Sequence, residues 1–315
     1  MTSERVLVTG AAGFIGSRLC HRLVADGFRV VGFDDLSDGS ADNLADSQAV
    51  DLVVADLRDE AAVAAAAEGC ARIFHQGAKR SVLRSMTDPT LYVDVNVRGT
   101  HNVLMAARES GATVVSASSS SVYGDQSEFP LRESMEPLPR SPYAGSKLAA
   151  EALCATYQRA FGVRVVSLRY FNVYGPGQDP GSEYAVVVPL FTKACLTGQR
   201  PVVHGDGEQS RDFTFIDDVL EANILASRAP SEAYGRAFNI GGGTQPTSVN
   251  RVLEIVAHYC DAAPEPIFEP VRPGDVRTTH ADVTMAETVL GFRPQVSLED
   301  GLGRTVRHMQ KTLAR

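Results

Sequence analysis

The 315-residue chain sets 30 Lys and Arg against 38 Asp and Glu, a formal net charge of −8. With 44% hydrophobic and 22% charged residues, a chain of this length buries about three quarters of its unfolded surface, which excludes wholesale disorder and any need for a disulfide or metal staple. The acidic balance speaks against nucleic acid as a partner, so any phosphate ligand must be held by a local site.

Residues 6–9 form a short apolar run before glycines, and residues 14–25 carry Phe14, Ile15, Leu19, Leu23 and Val24 at helical spacing. Strands follow at 29–33, 52–55 and 72–75, with an Ala-rich helix at 60–68 between the last two. A long helix spans 89–109 and a fifth strand 112–116. This alternation predicts βαβ units: an α/β fold built on a Rossmann doubly wound parallel sheet. Beyond Phe171 glycine and proline become frequent, which predicts a smaller C-terminal α/β region whose loops cover a ligand. The expected division is 1–171 for dinucleotide binding and 172–315 mainly for substrate, with a segment near 212–242 returning to the first unit. Five widely spaced cysteines, an odd count without CxxC, read as reduced cytosolic thiols, not a disulfide frame or zinc site. The N-terminus runs directly into a strand and no apolar run approaches membrane length, so neither a signal peptide nor a membrane span is expected.

Gly10, Gly13 and Gly16 lie between the first strand and the first helix. Glycines there permit a tight turn and let backbone N–H groups approach a pyrophosphate at the helix N-terminus. The spacing is GxxGxxG, which a plain strand-to-helix turn would also tolerate. Asp34, at the end of the second strand, strengthens the dinucleotide reading. A carboxylate there accepts from the adenosine ribose hydroxyls and repels a 2′-phosphate, which favours NAD over NADP. Asp35 is a possible second contact. Asp56 and Leu57, after the third strand, are placed for the adenine edge, although Asp56 reads equally as a loop or N-cap acid.

Tyr143 and Lys147 stand four residues apart at the start of a helical stretch, on one face. A phenol titrates near 10 and is a poor base at neutral pH. Bringing it to about 7 takes about 4 kcal/mol of differential stabilisation, which a close ammonium and a cationic nicotinamide can supply. Ser118 to Ser121 follow the fifth strand, at the carboxyl edge where such sheets bind ligands. A serine there can hydrogen-bond a sugar hydroxyl. A serine-rich turn is the alternative.

Together these residues resemble the extended short-chain dehydrogenase/reductase family, in its nucleotide-sugar epimerase/dehydratase branch. The likeness runs from about Val6 to Leu290. It includes the glycine motif, Asp34, Asp56-Leu57, Ser119…Tyr143…Lys147, the run Arg169 to Gly175, Gly205 to Phe213, and Pro273 to Arg277. The resemblance implies NAD as cofactor, cradled by Gly10, Gly13, Phe14, Ile15, Gly16, Asp34, Asp35, Asp56, Leu57, Gln76 and Ala78. Asn96, Tyr143, Lys147 and Tyr170 would lie near the nicotinamide and its ribose. It implies a UDP-sugar substrate held by Ser81, Ser120, Asn172, Val187, Arg211, Asp275 and Arg277, with Ser119, Tyr143 and Lys147 catalytic and no metal. It also implies a homodimer through a four-helix interface formed by 89–109 and 143–161.

Dehydratases and decarboxylases of this branch usually carry an acid within two positions of the catalytic Ser or Thr. Here those positions are Ser120 and Ser121, which favours 4-epimerisation over elimination. The run Gln178…Tyr184-Ala185…Pro189 resembles epimerases of UDP-N-acetylhexosamines. UDP-glucuronate 4-epimerases share the serines but usually carry Thr at position 172. Lys79, Arg80 or Arg84 would offer a carboxylate partner, or form a solvated loop. Two further alternatives are a dehydratase or oxidoreductase of the same family and a non-catalytic NAD or nucleotide-sugar sensor.

Overall fold

The computed structural model describes residues 4–45, 49–181, 186–271 and 276–314. Seven parallel strands form its central sheet: β1 (Arg5–Thr9), β2 (Arg29–Asp34), β3 (Val50–Val54), β4 (Arg72–His75), β5 (Thr113–Ser119), β6 (Val165–Tyr170) and β7 (Ala237–Ile240). Their spatial order is β7-β6-β5-β4-β1-β2-β3. The order reverses between β1 and β4, which opens a crevice beyond the carboxyl ends of the strands there.

Both faces of the sheet are covered, so the strands are apolar on both sides. Val6 and Val8 face one layer with Leu19, Cys20 and Leu23 of α1 (Phe14–Ala25). Leu7, Val31 and Phe33 face the other, with α2 (Glu60–Ala67), α3 (Gly99–Ser110) and α4 (Pro142–Phe161). The remaining long helices are α5 (Val187–Thr197), α6 (Ile216–Ala226), α7 (Val249–Tyr259) and α8 (Leu298–Leu313). Phe191 of α5, Val252 of α7 and Leu302 of α8 belong to the same apolar cluster as Val6 and Val8. Among the described residues no helix is long and apolar enough to cross a membrane.

Two elements differ from expectation. Strand β5 runs to Ser119, because Ser118 and Ser119 pair with Arg169 and Tyr170 of β6. The serines therefore lie on the strand and not in a turn after it. The expected helix over 89–109 is continuous but irregular: Pro89–Tyr92 passes through a π turn, Val93–Arg98, into α3. The wider turn alters the regular carbonyl ladder, and the Thr100 hydroxyl donates to the Asn96 backbone carbonyl at 2.6 Å.

That bond closes a directed chain through the core. Thr100 gives its proton to Asn96, so the 3.0 Å contact with His75 must run from Nε2–H to Thr100. Nδ1 of the neutral ring then accepts from Thr9 at 2.7 Å, and Thr9 in turn accepts from the Gly77 N–H at 3.2 Å. Burial, with the Lys147 charge, drives the imidazole down to about 3. Below its unfolded pKa of about 6.5 the unfolded chain binds a proton that the folded chain refuses. The contribution of His75 is therefore full above that value and is lost as pH falls towards about 3. Urea unfolding over a pH series from about 7 to 4 should show the stability of His75→Asn falling less steeply than that of the parent, by about 1.4 kcal/mol per pH unit. Parallel slopes would contradict the assignment.

Candidate active site

The crevice holds a cavity of about 500 Å³. Its first end is built by backbone approaching backbone. Gly10 sits at φ +67°, and a Cβ there would come within 2.7 Å of Gly77 N and Cα. A Cβ on Gly16 would lie 1.9 Å from the Gly10 carbonyl oxygen. Gly13, the N-cap of α1, contributes no side-chain cap, and Gly13, Phe14, Ile15 and Gly16 all line the cavity. This is a glycine cradle at a helix N-terminus, of the kind that fits a dinucleotide pyrophosphate.

Asp34 is fixed beside it. Its carboxylate accepts from Ala12 N at 2.9 Å and Leu36 N at 2.8 Å. Burial pushes its pKa up, and those two N–H groups pull it back. Asp35 also lines the cavity and accepts from Ser37 N at 3.0 Å. Asp56 lines it too while pairing with Arg58 at 2.6 Å, which holds its carboxyl below the usual range. Leu57 packs under Gly77 and Gly99 and forms part of the wall, as do Gln76 and Ala78. Tyr170 hydroxyl donates to Gln76 Oε1 at 3.1 Å and accepts from Asn223 Nδ2 at 2.9 Å. Burial lifts that phenol to about 12, so it stays neutral. Asn223 carries no motif, and its place on α6 could not be read before β6 and α6 were docked.

The middle of the cavity is where α4 meets the end of β5. Ser141 caps the helix by accepting from Ala144 N at 3.1 Å, and Pro142 occupies its first turn. Tyr143 and Lys147 then face the strand. The Tyr143 phenol faces Ser119, and Lys147 Nζ donates to the Ala117 carbonyl at 2.9 Å. Ser119 Oγ also accepts from Ser121 Oγ at 2.9 Å, and Ser120 lines the cavity. Burial pushes Tyr143 up, while Ser119 and the Arg80 charge pull it down. Burial lowers Lys147 to about 8. The groups that pull the phenol down are thus Ser119 and Arg80, and Lys147 is turned to a backbone carbonyl.

The far end carries Asn172, Arg211 and Thr279. Asn172 Nδ2 donates to the Asp212 carbonyl and to Thr279 Oγ1, both at 3.0 Å. Arg211 Nη1 donates to the carbonyls of Ser210 at 2.9 Å and Arg277 at 3.2 Å. Asp212, buried, accepts from Gly242 N at 2.6 Å and Ala281 N at 2.9 Å and so ties three segments behind Arg211. Thr279 and Asp212 escaped the sequence reading because only the fold brings 172, 212 and 279 together.

Several expected contacts fall elsewhere. Asn96 stands one layer behind the wall, bonded to Lys79 N at 2.8 Å, Lys79 O at 2.9 Å and Ser146 Oγ at 2.9 Å. Ser81 caps the helix Val82–Thr87 through Arg84 N and does not line the cavity. Val187 packs against the core, and its neighbour Val186 takes the wall position. Arg277 is exposed and pairs with Asp206 at 2.7 Å, outside the lining. Asp275, with Tyr184 and Ala185, lies outside the described residues. Lys79 is buried in an ion pair with Asp38 at 2.8 Å and acts on Asp34 and Asp56, so it belongs to the first end of the cavity and not to a sugar carboxylate. Arg80 does face the middle, and Arg84 is exposed outside the lining.

A model of the NAD dependent epimerase/dehydratase family matches residues 6–241. The chain is 42% identical over 308 residues to the UDP-glucose 4-epimerase of Mycolicibacterium smegmatis, a match covering 96% of this chain and 97% of that one. The structure is similar to that of Thermus thermophilus UDP-glucose 4-epimerase in complex with NAD, at TM-score 0.88 and 36% identity over 97% of this chain and 99% of the other. It is also similar to UDP-N-acetylglucosamine 4-epimerase of Methanobrevibacter ruminantium in complex with UDP-N-acetylmuramic acid, at TM-score 0.93 and 34% identity over 99% and 100% of the two chains.

Since a methyl group at position 16 collides with the Gly10 carbonyl, Gly16→Ala should force α1 back from the turn. We expect NAD affinity, followed by titration calorimetry, to fall at least about tenfold, the equivalent of 1.4 kcal/mol. Unchanged affinity would show that the pyrophosphate does not use this cradle.

Proposed function

The chain belongs to the NAD dependent epimerase/dehydratase family, and from that premise we propose that it is an NAD-dependent UDP-sugar 4-epimerase. The observation that carries this is where the acids lie. Among the described residues lining the cavity, the carboxylates are Asp34, Asp35, Asp38 and Asp56, all at the dinucleotide end. Around Ser119 and Tyr143 the lining offers Ser118, Ser120, Ser121, Arg80 and Arg140. A 4-epimerisation needs one base and a reversible hydride; an elimination or decarboxylation would call for a second acid.

The cradle and Asp34 fit NAD on the terms given above. Asp34 and Asp35 would hold the adenosine ribose, and Asp56 with Leu57 would border the adenine. The chemistry the cofactor supplies when bound is a reversible hydride sink for C4 of the sugar. Ser119 donates to or accepts from O4 and orients it. Tyr143 takes the O4 proton, and returns it once the opposite face has been presented. Lys147, lowered by burial to about 8 and still largely an ammonium at neutral pH, would hold the nicotinamide ribose and help stabilise the phenolate once the cofactor is in place. Arg211 and Asn172, with Thr279, would anchor the UDP portion. A forked guanidinium at this end supplies the local cation that an acidic chain needs for a diphosphate. On this reading 1–171, with the returning strand β7, forms the dinucleotide unit, and most of 172–315 supplies the substrate side.

The favoured sugars are UDP-hexose and UDP-N-acetylhexosamine. A UDP-hexuronate is the second reading, and Arg80 and Arg140 in the lining favour it. We further propose a cytosolic homodimer built on the helices over 89–109 and 143–161. Val93 and Phe161 on this side are about half exposed, at 53% and 48%, as an unpaired helical face would be. The five cysteines are all free, in keeping with a reducing compartment. Light scattering should give twice the chain mass, and Val93→Glu should yield monomer. A monomeric parent would sink the dimer.

Incubation in D₂O with UDP-glucose, UDP-N-acetylglucosamine or UDP-glucuronate, followed by proton NMR, should give one 4-epimer with protium kept at C4 and C5. Tyr143→Phe should retain NAD yet lose about 10²–10⁴ in kcat, the usual weight of a general base. Deuterium at C5, or loss of water or carbon dioxide, would overturn the epimerase reading.

A further inference from the structure

Tyr143 and Lys147 are two members of a stripe on α4, and the next position on the same face is Glu151. All three meet the end of β5: Tyr143 faces Ser119, Lys147 bonds the Ala117 carbonyl, and Glu151 accepts from the Ser118 hydroxyl. The Glu151 carboxylate is buried, at 9% side-chain exposure, against Arg169 of β6, at 6%. The pair is two-pronged: Arg169 Nε donates to Oε1 at 2.9 Å and Nη2 to Oε2 at 2.7 Å. Arg169 also donates to the Tyr123 hydroxyl at 2.9 Å, which donates to Asn239 of β7 at 2.7 Å.

A buried ion pair is weak evidence of stability, because well-packed apolar residues of similar volume are often as good or better. Neither member lines the catalytic cavity. What the pair does is tie the helix that carries the base, through Glu151, to the residue before Ser119 and, through Arg169, to the strand position before Tyr170. We propose that Glu151 is a positioning residue for the reaction, which with Arg169 holds Ser118 and Ser119 against Tyr143 and keeps the charge balanced around Lys147. This deepens the epimerase reading, and rests on it only in taking Tyr143 as the base.

The charges acting on Lys147 come from Glu151 and Cys154 on its own helix, and His75 on β4 lies within range. Asn96 of the π turn presents its neutral amide to the adjacent Ser146, and Ala117 presents a carbonyl. Arg80, in the loop after β4, faces Tyr143. His75 is neutral above about 3, and the Cys154 thiol is raised to about 11. Over the working range Glu151 with its partner Arg169 is therefore the adjustable charge behind Lys147. Removing only the carboxylate leaves a cation, which lowers the pKa of both Tyr143 and Lys147. Removing only the guanidinium leaves an anion and raises both.

The test uses Glu151→Gln, Arg169→Met and the double variant, each loaded with NAD. The chain has nine Tyr and no Trp, so ultraviolet tyrosinate absorbance reads free of indole, with Tyr143 identified by subtracting Tyr143→Phe. Both the tyrosinate midpoint and the limbs of the kcat–pH profile should move to lower pH in Glu151→Gln and to higher pH in Arg169→Met, by about half a unit or more. In the double variant they should return close to the parent. KM for the UDP-sugar should change far less than kcat. If Arg169→Met does not fold, the comparison of Glu151→Gln with the double variant still decides, since the double must titrate at higher pH. Coincident midpoints in all variants, or shifts of one sign in both single variants, would reduce the pair to a structural clamp and overturn the proposal. The tyrosinate titration needs no turnover, so an inactive parent would count against the epimerase reading without touching this result.

Discussion

The structure depends first on a backbone contact. Gly10 turns against Gly77, and Gly16 lies against Gly10, so the first strand, the first helix and the fourth strand meet with no side chain between them. Glycine is required because any Cβ would occupy the space of a neighbouring main-chain atom. The contact sets where the N-terminus of α1 points, and Asp34 is then tied to the same turn by the Ala12 N–H. The π turn is tied in from the other side, through the chain that runs from Gly77 to Thr9, His75, Thr100 and Asn96. The position of Asn96 in turn reaches α4 through Ser146, whose hydroxyl donates to the Tyr143 carbonyl.

Charge is sorted along the crevice. The chain is acidic as a whole, yet the acids of the cavity gather at one end, and Arg80, Arg140 and Arg211 line the remainder. A ribose diol rewards carboxylates, and a diphosphate rewards guanidinium groups. In the middle, burial disfavours charge, lowering the ammonium of Lys147 and raising the phenol of Tyr143. A base in such a place responds to small changes in the charges around it.

What could be read in the sequence follows from how local the cause is. Helix 14–25 and strand 72–75 are legible because apolar spacing and flanking residues within a few positions determine them. The parallel α/β architecture is legible for the same reason. The glycine turn, Asp34 and the Tyr143–Lys147 pair each sit on one element, so their spacing along the chain is their spacing in space. The π turn is not legible, since it is stabilised by Lys79, Thr100 and Ser146, which are distant or ambiguous in sequence. The positions of Arg277, Ser81 and Val187 are likewise set by partners that a linear reading does not supply: Asp206, the first turn of a short helix, and an apolar core assembled from distant elements. Glu151 was within reach, as the next turn of a helix face already singled out. What hides it is Arg169, which reads in sequence as the first residue of a motif run and gives no sign of pairing with a helix residue eighteen positions before it.

The apolar cluster that runs unbroken from β1 into α5, α7 and α8 has a consequence for how such a protein can diversify. The edge of the sheet beyond β6 is closed by β7, a strand drawn from the second half of the chain. Neither half can be exchanged as a module, because cutting between them would bare both a sheet edge and a core. New sugar preferences must therefore arise by point changes in the loops over the crevice, within a frame inherited whole.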